Sequence, residues 1–240
     1  MKYLFVGPTL HGRDVDLSGL VVRPPASQGD IAQAVLEGAA AIGLVDGLFD
    51  AVAAVWHKEI LFALTNGVRV LGAASMGALR AAECEPFGME PVGAIAQSYM
   101  RGERRDDSDV CLAHCPGELE YAPLSEPLVD VEATIRRLVA VGLLAGEEGA
   151  RLMSAATAMF FASRTVSTML LKAGFHEARA AAIALAYEQC RVSTKAEDAL
   201  LLVTRLKQVE NRADASAGWT MHEPKSWRRI LDELDSTAPE

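Results

Sequence analysis

The sequence predicts an α/β fold: an N-terminal, mostly parallel sheet flanked by helices, followed by a helical C-terminal region. Three observations carry this. Short unbroken apolar runs, KYLFV (2–6), AIGLV (41–45) and VRVL (68–71), alternate with helical stretches through the first 85 residues. Strands covered on both faces read as continuous apolar runs, the pattern of a parallel sheet between helices. From about residue 128 the pattern changes, and Val131, Ile135, Leu138 and Val139 fall at helical spacing. Finally, 240 residues with 50% hydrophobic and 23% charged content are enough to enclose a substantial core.

The elements follow in order. Residues 2–6 form a strand that ends at Gly7-Pro8-Thr9, and Leu20–Val22 forms a second, stopped by Pro24-Pro25. Ser27 and Asp30, three apart, make a weak capping box and open a helix through about Gly38. Ala41–Val45 is a third strand, closed by Asp46-Gly47, and a helix follows from about Ala51 to Asn66 with Gly67 as its stop. Residues 68–71 are a strand, Gly72, Ala73 and Ala74 a cramped turn, and Ala78–Glu83 a helix, so Ser75 sits where strand hands over to helix. A helix over Val92–Met100, a charged loop over 101–109 and a strand over 110–114 come next, then helices within 147–163, 166–173, 176–191 and 194–210. Periodicity is lost after Asn211. The expected division is a core domain over 1–125 carrying the site, a helical region over 126–210 packed on it, and a loosely ordered tail over 211–240.

Composition narrows the function. A net charge of −9 argues against a nucleic-acid partner, whose phosphates need a basic surface. No apolar run reaches the length of a membrane span, and MKYLFVGP meets proline and glycine too early for a signal-peptide core. Cys84, Cys111, Cys115 and Cys190 are scattered, as in a reduced, cytoplasmic protein. Cys111 and Cys115 flank His114 but lack a second ligand pair, so no metal is expected, and no cofactor either.

Ligand sites in parallel sheets gather at the carboxyl ends of strands, here Gly7-Pro8-Thr9, Asp46-Gly47 and Gly72–Ser75. That makes Thr9, Asp46 and Gly72 candidate substrate contacts, although Asp30 and Asp46 also suit turns and caps. AASMG repeats only the second half of the serine elbow G-x-S-x-G. Ser75 is therefore either a nucleophile, with the N–H groups of Met76 and Gly77 as an oxyanion hole, or an N-cap. A serine nucleophile needs a base, and lysine serves when neutral. In VWHKEILFAL (55–64) the trio His57, Lys58 and Glu59 interrupts an apolar helix, and at about 100° per residue not all three can face solvent. Lys58 is thus a candidate base for a Ser–Lys dyad, or else Lys58 or His57 forms an internal salt bridge. Arg80 either pairs with Glu83, three residues on, or attracts an anionic substrate, as His57 could.

These strings resemble the TfuA family: FVGPT (5–9), RPPASQGDI (23–31), AIGLVDGLF (41–49), VWHKEILFAL (55–64), GAASMGALRAAE (72–83), PFGM (86–89) and LSEPLV (124–129). The resemblance covers about the first 130 residues and is most specific over 55–83. It implies a partner of a YcaO enzyme in peptide backbone thioamidation. The implied activity is hydrolysis of the C-terminal thiocarboxylate of a ubiquitin-like, ThiS-like sulfur carrier, with sulfide delivered to YcaO. It also implies a Ser–Lys site matching Ser75 and Lys58, and a family-specific fold rather than a standard Rossmann domain. A thiocarboxylate anion suits Lys58, Arg80 or His57 nearby, and a glycine tail suits a cleft lined by Gly72, Ala73 and Ala74. The alternative is a non-catalytic protein that docks peptide or carrier onto YcaO.

Overall fold

The structure, a computed structural model, describes residues 1–48, 52–210 and 218–236. Five parallel strands form one sheet: β1 (Lys2–Phe5), β2 (Val21–Arg23), β3 (Ala41–Leu44), β4 (Arg69–Gly72) and β5 (Glu90–Pro91), in the order β2-β1-β3-β4-β5. The order reverses between β1 and β3, which opens a crevice at their carboxyl ends. This is not the strand order of a dinucleotide-binding Rossmann sheet.

Alternation along each strand divides two cores. Tyr3, Phe5, Ile42, Leu44 and Val70 face one side, which is covered by α1 (Asp30–Leu36), α2 (His57–Thr65) and α3 (Met76–Cys84). Leu4, Val6, Ala41, Val45 and Leu71 face the other, where they meet Ala199, Leu202, Val203 and Leu206. Those four residues belong to a helix near the far end of the chain. Between it and β5 run α4 (Gly93–Met100), α5 (Leu128–Ala140), α6 (Gly146–Thr157), α7 (Val166–Lys172) and α8 (Glu177–Cys190); then comes α9 (Thr194–Gln208) itself. A separate core of Val131, Ile135, Leu138, Leu152, Met169 and Tyr187 joins α5 to α8. The helical half is therefore a small bundle whose last helix returns to roof the sheet. Gly43 permits that contact, since a Cβ there would lie 2.7 Å from Leu202 and 2.9 Å from Leu206.

Three expectations are corrected. The helix expected from about Ala51 begins at His57; residues 49–51 lie outside the described residues, and Trp56 is extended. The Glu59 carboxylate accepts the Trp56 N–H at 3.0 Å, and this cap fixes the start. Residues 110–114 form no strand: Val110 closes a 3-10 turn over Asp107–Asp109 with helical backbone angles, and only His114 makes an isolated bridge, to Pro123; β5 is the strand that pairs with β4 at the edge of the sheet. Within the expected loose tail, Lys225–Ser236 form a helix, α10, and Trp227 is fully buried with its ring 5.5 Å from that of Phe62. Trp227, Ile230, Leu231 and Leu234 have the helical spacing that explains it. Among the described residues no helix is long and apolar enough to cross a membrane.

Candidate active site

The site begins where β4 stops. Ala73 N–H donates to the Leu44 carbonyl at 3.1 Å, and Ala74 takes a left-handed backbone with φ of 65°. That conformation is costly for a residue with a Cβ, and such strain gathers at functional turns. The turn is small by necessity. A Cβ on Gly72 would collide with the Gly77 carbonyl oxygen, and one on Gly77 with the Leu44 carbonyl oxygen. The chain thus reverses tightly into α3 with Ser75 at its N-cap position, buried and 4% exposed.

Ser75 does not cap the helix, for its side chain bonds to no backbone N–H. Its Oγ instead accepts a hydrogen bond of 3.1 Å from Nζ of Lys195. Lys195 is the second residue of α9 and only 2% exposed, and its Nζ also donates to the Val110 carbonyl at 2.9 Å. Both bonds go to neutral oxygens rather than to a carboxylate. Asp130, from α5, accepts the Lys195 backbone N–H at 3.1 Å and the Ser193 hydroxyl at 2.9 Å. Burial pushes the Asp130 carboxyl up to about 6, against the pull of those hydrogen bonds and of the Lys195 charge.

Ser75 and Lys195 line a cleft of about 320 Å³ together with Asp46, Gly47, His114 and Phe161. Cys111 and Phe161 separate it from a wider cleft of about 730 Å³ that holds Arg80, Glu83 and Arg105. On the other side Lys195 also borders a cleft of about 170 Å³ lined by Thr9, His11, Asp130 and Arg191. Burial pushes the Cys111 thiol up to about 12, so it stays protonated beside the serine.

The strand ends converge as expected from the sequence. Asp46, at the reversal between β1 and β3, accepts the N–H groups of Gly7 and Thr9 at 2.9 and 3.0 Å and the Thr9 hydroxyl at 2.5 Å. It therefore fixes the loop after β1, a cap role, while still lining the cleft. Gly72 ends β4 at a position too close-packed for a side chain, and its carbonyl accepts the Val92 N–H at 2.9 Å. The oxyanion hole expected at Met76 and Gly77 is halved, because Gly77 N–H donates to the Val45 carbonyl at 3.2 Å. Met76 N–H, the first of α3, has no protein acceptor among the described residues.

The charged trio resolves differently from the dyad expectation. Lys58 does not meet Ser75: its Nζ donates to the His222 carbonyl at 2.7 Å on the exposed surface. His57 pairs with Glu83 at 2.8 Å, both side chains about half exposed. Arg80 pairs with Glu83 at 2.7 Å and donates to the Val55 carbonyl at 2.9 Å, so the pairing reading of Arg80 holds. The residue that faces protein is Glu59, wholly buried and accepting the N–H groups of Gly29 and Ile31 at 2.8 and 3.2 Å. Burial raises its carboxyl above the usual range, and the backbone hydrogen bonds oppose that. Glu59 is a structural anchor between α1 and α2.

Sequence reasoning missed Lys195, Asp130 and Ser193. A signal for Lys195 exists, since it occupies the stripe of Ala199, Leu202 and Leu206 at helical spacing. It also puts a cation in the first turn of a helix, against the macrodipole.

Comparison with known families gives a match to the model described as TfuA-like protein over residues 46–165, which spans Asp46, Lys58 and Ser75 and ends before Lys195. No curated protein matches the chain significantly. With the family model covering half of its length, the chain belongs to the TfuA-like protein family.

Proposed function

We propose that this protein is a Ser–Lys hydrolase of a C-terminal thiocarboxylate on a ubiquitin-like sulfur carrier, delivering sulfide to a YcaO enzyme for peptide thioamidation. The working pair in this reading is Ser75 and Lys195, and the observation that carries it is the 3.1 Å bond from Lys195 Nζ to Ser75 Oγ at the buried end of a cleft. In the neutral form the amine takes the hydroxyl proton as Oγ adds to the thiocarboxylate carbonyl carbon. The Met76 N–H lies at the helix start where the developing oxyanion can be held. The C–S bond then breaks. Lys195 passes the proton to the departing sulfur, which leaves as hydrosulfide, and the carrier is held as an ester on Ser75 with the amine again neutral. Water, deprotonated by Lys195, adds to that ester and frees the carrier carboxylate. One water is consumed and one sulfide released.

The choice of substrate rests on the family. The structure's own contribution is the pair, the cleft and a wider adjoining groove that leaves room for an extended tail. The test is sulfide release from a thiocarboxylated carrier by wild type and Ser75→Ala, with intact mass measured during turnover. Loss of release in the variant, and a wild-type adduct of carrier mass on Ser75, are expected. Equal release by both proteins would overturn the proposal, and absence of release by wild type with a cognate carrier would favour a docking protein.

A further inference from the structure

Asp130 stands behind the Ser75–Lys195 pair on the side away from the main cleft. It is 8% exposed and lines the cleft of about 170 Å³. Its two oxygens hold separate donors. Oδ1 takes the Lys195 N–H and Oδ2 the Ser193 hydroxyl, whose Oγ in turn accepts the Ala196 N–H at 3.2 Å. A carboxylate from α5 thereby grips the first turn of α9. A lysine side chain has four rotatable bonds, so whether its amine reaches a fixed hydroxyl depends on where its backbone is anchored. The anchor here is charged, and a helix start favours a negative group.

We infer that Asp130 is a positioning residue whose ionised carboxylate fixes the root of Lys195 so that Nζ meets Ser75, and that protonation of Asp130 loosens this alignment. This rests on the Ser75–Lys195 reading of the site. The groups that face Asp130 are few. Lys195 from α9 favours its charge, while Glu126, ahead of α5, opposes it and is itself paired with Arg191. Tyr187 from α8 is buried, and burial pushes its phenol upward. His11 and Arg13 line the far wall of the small cleft. The His11 ring is held there by a hydrogen bond between Nδ1 and the Glu120 carbonyl at 2.9 Å.

The experiment uses the full-length protein with 13C at lysine Cε, the Lys195 resonance being assigned by its loss in Lys195→Arg. Its shift and the rate of sulfide release are followed from acid to alkaline pH in wild type, Asp130→Asn and Ser193→Ala. Wild type is expected to show a step in the Lys195 resonance near pH 6 and a matching acid limb in rate. Asp130→Asn loses both and falls about tenfold at neutral pH, the scale of one charge-assisted hydrogen bond. Ser193→Ala keeps the step and lowers only the plateau. A wild-type Lys195 resonance with no step near pH 6 overturns the inference without any variant, as does a wild-type pH profile in a folded Asp130→Asn. If wild type shows the step but releases no sulfide, the hydrolase reading fails while the placement of Asp130 stands.

Discussion

Replacing Lys195 by methionine separates the observed dyad from the one centred on Lys58. Methionine keeps most of the buried stem and removes the amine, leaving the Val110 carbonyl and Ser75 Oγ without their donor. An unmade buried acceptor costs about 1–3 kcal/mol, which an ordinary domain of about 5–15 kcal/mol withstands. The catalytic effect is larger. A positioned general base contributes about 10²–10⁴ in rate, or about 3–5 kcal/mol of barrier. Lys58→Ala removes only an exposed hydrogen bond to His222, so stability should change by less than about 0.5 kcal/mol and the rate by less than about twofold. The assay is single-turnover sulfide release from a thiocarboxylated carrier, with thermal melting of each variant in parallel. Lys195→Met folded but at least a hundredfold slower, beside a Lys58→Ala near wild type, is the expected pattern. A folded Lys195→Met near the wild-type rate, with Lys58→Ala inactive, would refute the geometry argued above.

Other consequences concern the frame. Gly77→Ala places a Cβ against the Leu44 carbonyl oxygen and should cost about 3 kcal/mol or more, read as a lower urea midpoint; an unchanged midpoint would mean that α3 is not seated on β3 as described. Trp227→Ala should lose about 3–5 kcal/mol, since the indole is fully buried against Phe62, and a loss below 1 kcal/mol would show that α10 does not add to the core. Asp130 gives a pH dependence with a definite sign. Its carboxyl binds a proton more tightly folded, at about 6, than at its ordinary 3.8, so its contribution to stability is greatest in acid and falls as pH rises through that window. The fall is about 3 kcal/mol for the two-unit shift. Denaturation of wild type and Asp130→Asn between pH 4 and 7 should therefore diverge by about that amount, and parallel curves would refute the burial argument.

The parts legible in the sequence were those set by local chemistry. Continuous apolar runs announced strands covered on both faces, and the tiny residues from Gly72 to Ala74 announced a turn too tight for side chains, which the left-handed Ala74 bears out. The helix of the charged trio was partly legible. That one of three consecutive charges must face protein follows from helix geometry, and Glu59 is the one. Its choice over Lys58 depends on the bare N–H groups at the start of α1, which lie about thirty residues away and attract a carboxylate.

The base was illegible for a related reason. Nothing between residues 76 and 194 says that the chain, after building its own helical core, returns to the open face of the sheet. The packing of Leu202 and Leu206 over Gly43 brings it back, and that contact fixes the register of α9 on the strands. Once the register is fixed, the residue one turn beyond Ala199 toward the helix start must lie over the ends of β3 and β4, where an apolar side chain would simply extend the core. A lysine in that position cannot reach solvent by extending along the sheet, so its amine must find oxygen inside. The oxygens available are the Val110 carbonyl and the Ser75 hydroxyl. The pair therefore follows from sheet topology and helix register together, and a local motif centred on Ser75 could supply only one of its members.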